Sequence, residues 1–262
     1  MAKKVVWITG ASSGIGEALT MEYAKSDACI IISARRTSEL TRVKNNCDLE
    51  DEKIKIVAMD LACPEKMKDI VKEAIDAFGH IDILINNAGI SQRSLIKDTK
   101  FEVYQKLINI NYLGTVALSI ELLHHFISRK NGHFVNVTSL MGKFASPYRA
   151  GYCGAKHALH GFFDAMRLEH EDDGIDVTLV CPGFVQTNVS LNAITSDGSN
   201  QNTMDVKTQN GMTPIICAKK IITAINAKKF EAYIGGMETT VIMIRKISNR
   251  LAHKLIKRSA VT

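Results

Sequence analysis

The sequence predicts an α/β fold: a single-domain, Rossmann-like, doubly wound parallel sheet of about seven strands with helices on both faces. Three observations predict it. Short apolar runs alternate with longer segments of helical periodicity. The runs are apolar along their whole length, as strands covered on both faces require. The chemically distinctive residues fall just after the runs, where open parallel sheets bind their ligands.

The elements follow in order. "VVWIT" is the first strand, and a helix over about 14–25 follows it. "ACIIISA" precedes a helix over about 38–46, and "KIKIVAMD" precedes "PEKMKDIVKEAIDAF", with Pro64 suited to a first helical turn. "IDILINNAG" leads into a long helical stretch over 101–129. "GHFVNVTS" leads into a helix over 151–173, and "IDVTLVCPG" is the sixth strand. A last long helix, "PIICAKKIITAINAKK", brings the chain to "EAYIG". Right-handed crossovers wind such an alternation into a Rossmann-like sheet. No repeat or low-complexity linker divides the 262 residues, so 1–262 is read as one domain.

Two segments stand apart. Residues 184–214 are rich in Asn, Ser, Thr and Gly and are expected to form a lid or loop on the substrate side. Leu191, Ile194, Met204 and Met212 would give it apolar contacts, favouring a hydrophobic ketone, aldehyde or alcohol. Residues 239–262 form a basic amphipathic extension in which Ile247, Leu251 and Leu255 recur every four residues.

Composition narrows the class. Hydrophobic content of 46% and charged content of 23% suit a globular protein. The formal charge of +6 equals the six Lys and Arg of "RKISNRLAHKLIKR" (245–258), which contains no acid, so the rest balances to zero. That distribution speaks against nucleic-acid binding. The tail could dock on the domain, cover the substrate cleft, pair with another subunit or make weak contact with an anionic membrane surface; docking is the plainer expectation. The first strand begins too early for a signal peptide, no apolar stretch approaches a membrane span, and six scattered cysteines form no CxxC pair. These features lead us to expect a reducing cytoplasm.

"TGASSGIG" after the first strand is a phosphate-binding turn. Its glycines permit a tight turn and close approach of an anion to a helix N-terminus. Gly10, Ser12, Ser13, Gly14, Ile15 and Gly16 are the expected contacts. The second strand ends in "SARR" where an NAD-binding domain usually carries an acid. Arg35 and Arg36 can instead pair with the 2′-phosphate of NADP(H), making NAD(H) the weaker expectation.

"YCGAK" places Tyr152 and Lys156 one helical turn apart on a shared face. With "TGASSGIG", "MDLA", "NNAG", "NINYLG", "VTS" and "PGFVQT" in that order, the chain resembles the short-chain dehydrogenase/reductase family from its first strand to at least Thr187. The resemblance implies a catalytic tetrad of Asn111, Ser139, Tyr152 and Lys156. It places Asp60 and Leu61 by the adenine and Asn87, Ala88 and Gly89 by the ribose. Lys156 would touch the nicotinamide ribose, while Pro182, Gly183, Val185 and Thr187 would lie by the nicotinamide. It also implies a homodimer or homotetramer paired through the 101–129 and 151–173 helices.

The chemistry agrees with the resemblance. A free phenol has a pKa near ~10, and a neighbouring cation favours the phenolate, so Lys156 is expected to bring Tyr152 toward neutral pH. Ser139 can hydrogen-bond the substrate oxygen, and Asn111 can order a water that links Lys156 to solvent. Gly151, Gly154 and Ala155 are expected to leave open space beside the phenol. The leading reading is an NADP(H)-dependent oxidoreductase interconverting a carbonyl and an alcohol by hydride transfer. Beside it stand an NAD-dependent alcohol dehydrogenase and a non-catalytic NADP(H)-binding regulator, which a complete tetrad disfavours. His157 and His160, like His124 and His125, lack any HExxH or Cys/His cluster in sequence, so no metal is expected. "SLMG" lacks a hydrolase nucleophile elbow.

Overall fold

The computed structural model describes residues 3–258. Seven strands form one parallel sheet in the order β3-β2-β1-β4-β5-β6-β7. They are β1 (Val5–Thr9), β2 (Cys29–Ser33), β3 (Ile54–Ile56), β4 (Ile83–Asn86), β5 (Gly132–Val137), β6 (Ile175–Pro182) and β7 (Glu231–Ile234). The central strands are buried on both faces because the backbone pleat alternates. Val6 and Ile8 of β1 enter one core layer, while Val5 and Trp7 enter the other. The first layer is closed by α1 (Gly14–Tyr23), α2 (Thr37–Asn45) and α8 (Pro214–Asn226). The second is closed by α3 (Met67–Asp76), α5 (Gly114–Arg129) and α6 (Ala150–His170). Trp7 donates its indole N–H to Ser33 Oγ at 2.8 Å, so its one polar atom is satisfied in the core.

The 101–129 stretch is three pieces: α4 (Phe101–Ile108), a π turn (Asn109–Leu113) and α5. This span is long and apolar enough to cross a membrane, which the sequence reading did not count. Leu107, Leu118, Leu122 and Phe126 bury its inner side in the fold.

The expected lid is ordered on the body. It contains α7 (Val206–Gln209), and Ile194 bridges both Gln92 and Asn200. The basic extension differs from the expected single amphipathic helix. Ser248, with extended backbone, separates α9 (Thr240–Ile247) from α10 (Asn249–Arg258). The break rotates the expected stripe outward: Ile247 is 88% exposed, while Ile242 and Ala252 are buried instead. Ile256 packs against the cluster of Leu140, Met141, Phe144 and Cys153, and Arg245 donates to the Lys143 carbonyl. Residues 259–262 of the extension lie outside the described residues.

His133 of β5 is buried, with Nε2 2.8 Å from Thr178 Oγ1, and burial pushes its pKa down to about 4. The unfolded imidazole takes up its proton near ~6.5, so this site's stability is intact above that pH and lost as pH falls toward 4. The difference corresponds to about 3 kcal/mol. Thermal unfolding at pH 7 and pH 4.5 should show a steep loss, and His133→Asn should make that loss shallower.

Candidate active site

A cavity of about 510 Å³ runs along the carboxyl ends of the strands. At one end lies the glycine turn. Gly10 has φ +66°, and a Cβ there would meet Ala88 Cα at 2.8 Å. A Cβ at Gly16 would lie 2.3 Å from the Gly10 carbonyl oxygen. The turn therefore excludes larger residues at both positions. Ser13 precedes α1 without a side-chain cap, leaving first-turn amides for an anion beside the cavity walls of Ser12, Ser13, Gly14 and Ile15.

Thr9 and Asn87 fix this turn to the next loop. Thr9 Oγ1 accepts from the N–H groups of Asn87 and Ala88, both at 3.0 Å, and Asn87 Nδ2 donates to the Thr9 carbonyl at 3.0 Å. Arg35 and Arg36 are exposed and line the rim, Arg36 donating to Ser12 Oγ at 3.3 Å. The nearby Arg42 is tied to Glu17 and Glu39. Asp60, Leu61, Gly89, Pro182, Gly183, Val185 and Thr187 also line the cavity. Of the predicted catalytic and cofactor-binding residues, Gly16 and Asn111 alone stand behind the lining.

At the other end lie Ser139, Tyr152 and Lys156. Ser139 follows β5, and its Oγ accepts from the Met141 N–H at 3.1 Å, which leaves the hydroxyl proton to donate. Tyr152 and Lys156 share one face of α6. Lys156 is buried, donates to the Val137 carbonyl at 3.0 Å, and lies 5.8 Å from the Tyr152 ring centroid. Burial pushes its pKa down to about 8. Asn111 is buried in the π turn; its Nδ2 donates to the Ile90 carbonyl and its Oδ1 accepts the Ile90 N–H, both at 2.8 Å. Both side-chain groups are thus spent on the cavity wall beside Gly89.

Two expectations need correction. Burial dominates at Tyr152 and raises its pKa, so the phenol does not titrate nearer neutrality. The Ser139 hydrogen bond and the charges of Arg149 and Arg93 pull it partway back. The expected small-residue opening does not lie beside the phenol: a Cβ on Gly154 would meet nothing within 4 Å, but neither it nor Gly151 or Ala155 lines the cavity. A Cβ on Gly151 would meet Leu107 and Tyr104 at 2.8 Å, so that glycine admits α4. Gly154 is exposed, and Ala155 is buried.

The sequence reading missed the arginines. Arg93, after β4, and Arg149, which precedes α6, line the cavity beside Tyr152 and converge on Asp205 of the lid. Arg93 contacts Asp205 with Nε and Nη2, while Arg149 Nη2 reaches it at 3.5 Å. Burial pushes the Asp205 carboxyl up, but the Arg93 hydrogen bonds and charge outweigh it and hold it below the usual range. No local pattern announced this cluster, because its acid lies more than fifty residues from either base. The expected apolar lining is largely absent too: of Leu191, Ile194, Met204 and Met212, Ile194 alone lines the cavity.

The fold brings Cys181 and Glu231 to His160, with one donor atom from each lying within 4.8 Å of the others. Sequence spacing hid this cluster. Lys143 occupies the Glu231 carboxylate, Tyr233 donates to it, and Thr138 Oγ1 lies 3.1 Å from His160 Nε2. The carboxylate and His160 Nε2 are therefore engaged with protein groups, while His160 Nδ1 lies 3.4 Å from Glu231 Oε1 without a hydrogen bond among the described residues. His125 Nε2 accepts from the Ile81 N–H, while His124 and His157 are exposed.

A family model described as short chain dehydrogenase matches residues 4–197. Dehydrogenase/reductase SDR family member 7B of Rattus norvegicus is 36% identical over 98% of this chain and 81% of its own length. Dehydrogenase/reductase SDR family member 7 of Homo sapiens is 46% identical over 74% of this chain and 58% of its own length. Among solved structures, a short-chain dehydrogenase from Streptomyces avermitilis aligns with TM-score 0.81 and 23% identity, covering 95% of each chain. ElxO, solved with NADP bound, aligns with TM-score 0.75 and 28% identity over 89% of this chain and 97% of its own.

Proposed function

Since this chain belongs to the short-chain dehydrogenase/reductase family, we propose that it is an NADP(H)-dependent oxidoreductase interconverting a ketone or aldehyde with the matching alcohol, Tyr152 being its general acid/base. One observation carries the reading. A single cavity joins an anion-binding glycine turn and two rim arginines to a phenol flanked by a serine hydroxyl and a buried ammonium.

The residues fit a nicotinamide dinucleotide. The open first turn of α1 suits a pyrophosphate, and Arg35 with Arg36 suits a 2′-phosphate. Lys156 gives one of its three N–H groups to Val137, leaving two for ribose hydroxyls. ElxO was solved with NADP, whereas a Burkholderia phymatum relative in fold was solved with NAD, so the arginines carry the preference.

The bound nicotinamide supplies or accepts the hydride. Ser139 Oγ–H donates to the substrate oxygen and polarises it. Tyr152 Oη delivers the proton to that oxygen in reduction and takes it back in oxidation. Lys156 is charged at neutral pH because its pKa of about 8 lies above it, and its charge stabilises the phenolate left by transfer. Asn111 acts through the Ile90 backbone, so it is a positioning residue. The same proposal takes the chain to be cytoplasmic and a homodimer or homotetramer. Exposed Leu113, Ile120 and Leu168 on the long helices support the pairing. Light scattering tests the assembly, and liposome flotation tests weak membrane contact through 245–258.

Tyr152→Phe should lower carbonyl reduction by at least about 10²-fold while leaving cofactor binding in place, measured by NADPH oxidation and by titration. Near wild-type turnover would remove Tyr152 from the mechanism. Arg35→Ala should weaken NADPH about ten- to hundredfold and NADH little, since one charge-assisted hydrogen bond is lost. Equal loss for both cofactors would place Arg35 away from the 2′-phosphate.

A further inference from the structure

The substrate end of the cavity holds more positive charge than its protein partners neutralise. Two arginines, the half-buried Arg93 and the buried Arg149, share the single carboxylate of Asp205. Arg93 is well partnered: beyond Asp205 it donates to Ser91 Oγ at 2.9 Å and to the Gln92 carbonyl at 2.6 Å, which engages four of its five N–H groups. Arg149 is not. It is 8% exposed, and among the described residues its one side-chain hydrogen bond is the 3.5 Å contact to Asp205, with its Nε shielded from solvent and without a partner. Lys106 and Lys156 add further cations to the lining, and among the described residues Asp60, after β3 in the adenine region, is the one acid lining the cavity. Burial and Arg93 push the Arg149 pKa down to about 10, so the guanidinium remains charged at neutral pH.

A buried charged donor without a partner is costly, and a planar guanidinium fork matches a carboxylate or phosphate. We propose that the substrate carries an anionic group, a carboxylate or a phosphate ester, which Arg149 binds while Tyr152 faces the carbonyl. This rests on the oxidoreductase reading above. It also replaces the apolar substrate expected from the lid sequence, since Asn188, Asn192 and Thr208 line the cavity beside Ile194.

The test compares acetophenone, 4-acetylbenzoate and 4-acetylphenyl phosphate, with NADPH as reductant, in wild type, Arg149→Gln and Arg149→Lys. At least one charged ketone should exceed acetophenone in kcat/KM by about ten- to hundredfold, and which one does separates carboxylate from phosphate. That ratio should collapse in Arg149→Gln and return in part in Arg149→Lys. Equal kcat/KM for all three ketones in wild type overturns the proposal. So does an Arg149→Gln loss that is the same for neutral and charged ketones, which would mean that the arginine acts on the Tyr152 phenol alone.

Calorimetric binding of 4-acetylbenzoate, and its displacement by inorganic sulfate from wild-type protein, needs neither turnover nor a folded variant. Sulfate-sensitive binding without reduction of any ketone would keep the anion site and remove the oxidoreductase reading. Reduction of acetophenone without carboxylate binding would do the reverse.

Discussion

The parallel pairing of all seven strands puts every carboxyl end on one edge, and each part of the site depends on that alignment. β1 lies between β2 and β4, so the chain moves outward in one direction through β3 and in the other through β7. The loops after β1 and β4 part at this reversal and open the crevice that α/β sheets use for ligands. The Thr9–Asn87 bonds hold the two sides at a fixed spacing. A one-residue slip in β1 would exchange its core faces, sending Val6 and Ile8 where Val5 and Trp7 now pack. Hydrophobic burial on two faces thus fixes the register, and the register fixes the site.

Within that frame the costly element is the buried ammonium of Lys156. Desolvation works against its charge, which its lowered pKa records, and the Val137 carbonyl is its hydrogen-bond acceptor within the chain. The surrounding wall is correspondingly rigid. The π turn carries Asn111 into the core, where the amide clamps both polar groups of Ile90. A π turn forgoes regular helical pairing and is commonly retained at functional sites. Here it converts a helix into a support for the loop that faces Lys156.

How much of this was legible follows from the range of each interaction. The strands, the glycine turn and the Tyr152–Lys156 pair were readable because strand period, turn chemistry and helical spacing are local. The π turn was not, since "NINYLG" has ordinary helical composition. The break at Ser248 was equally hidden, because a serine inside a four-residue apolar repeat gives no stop signal. The direction of the Tyr152 shift was misread because spacing reports a neighbour but not desolvation. Arg93, Arg149 and Asp205 meet only after the sheet has assembled, with Arg93 and Asp205 separated by 112 residues. The polarity of the cavity around Tyr152 was therefore the least legible feature.

That polarity joins the lid to the chemistry. Asp205 fastens the 184–214 segment to Arg93 and Arg149, so the acid that ties down the segment also offsets one of the two guanidinium charges. A second acid would have paired both arginines and left Tyr152 without their pull toward the phenolate. Without any acid, two guanidinium groups would stand buried and opposed. One carboxylate for two arginines leaves that pair with a net positive charge, which acts on the phenol alongside the ammonium of Lys156. An incoming anion would reduce the arginines' effect on Tyr152 while excluding water from the cavity, which strengthens the remaining contacts of Ser139 and Lys156. On the proposed reading, substrate charge and proton transfer are coupled through one guanidinium, a coupling that an apolar pocket of the same shape would lack.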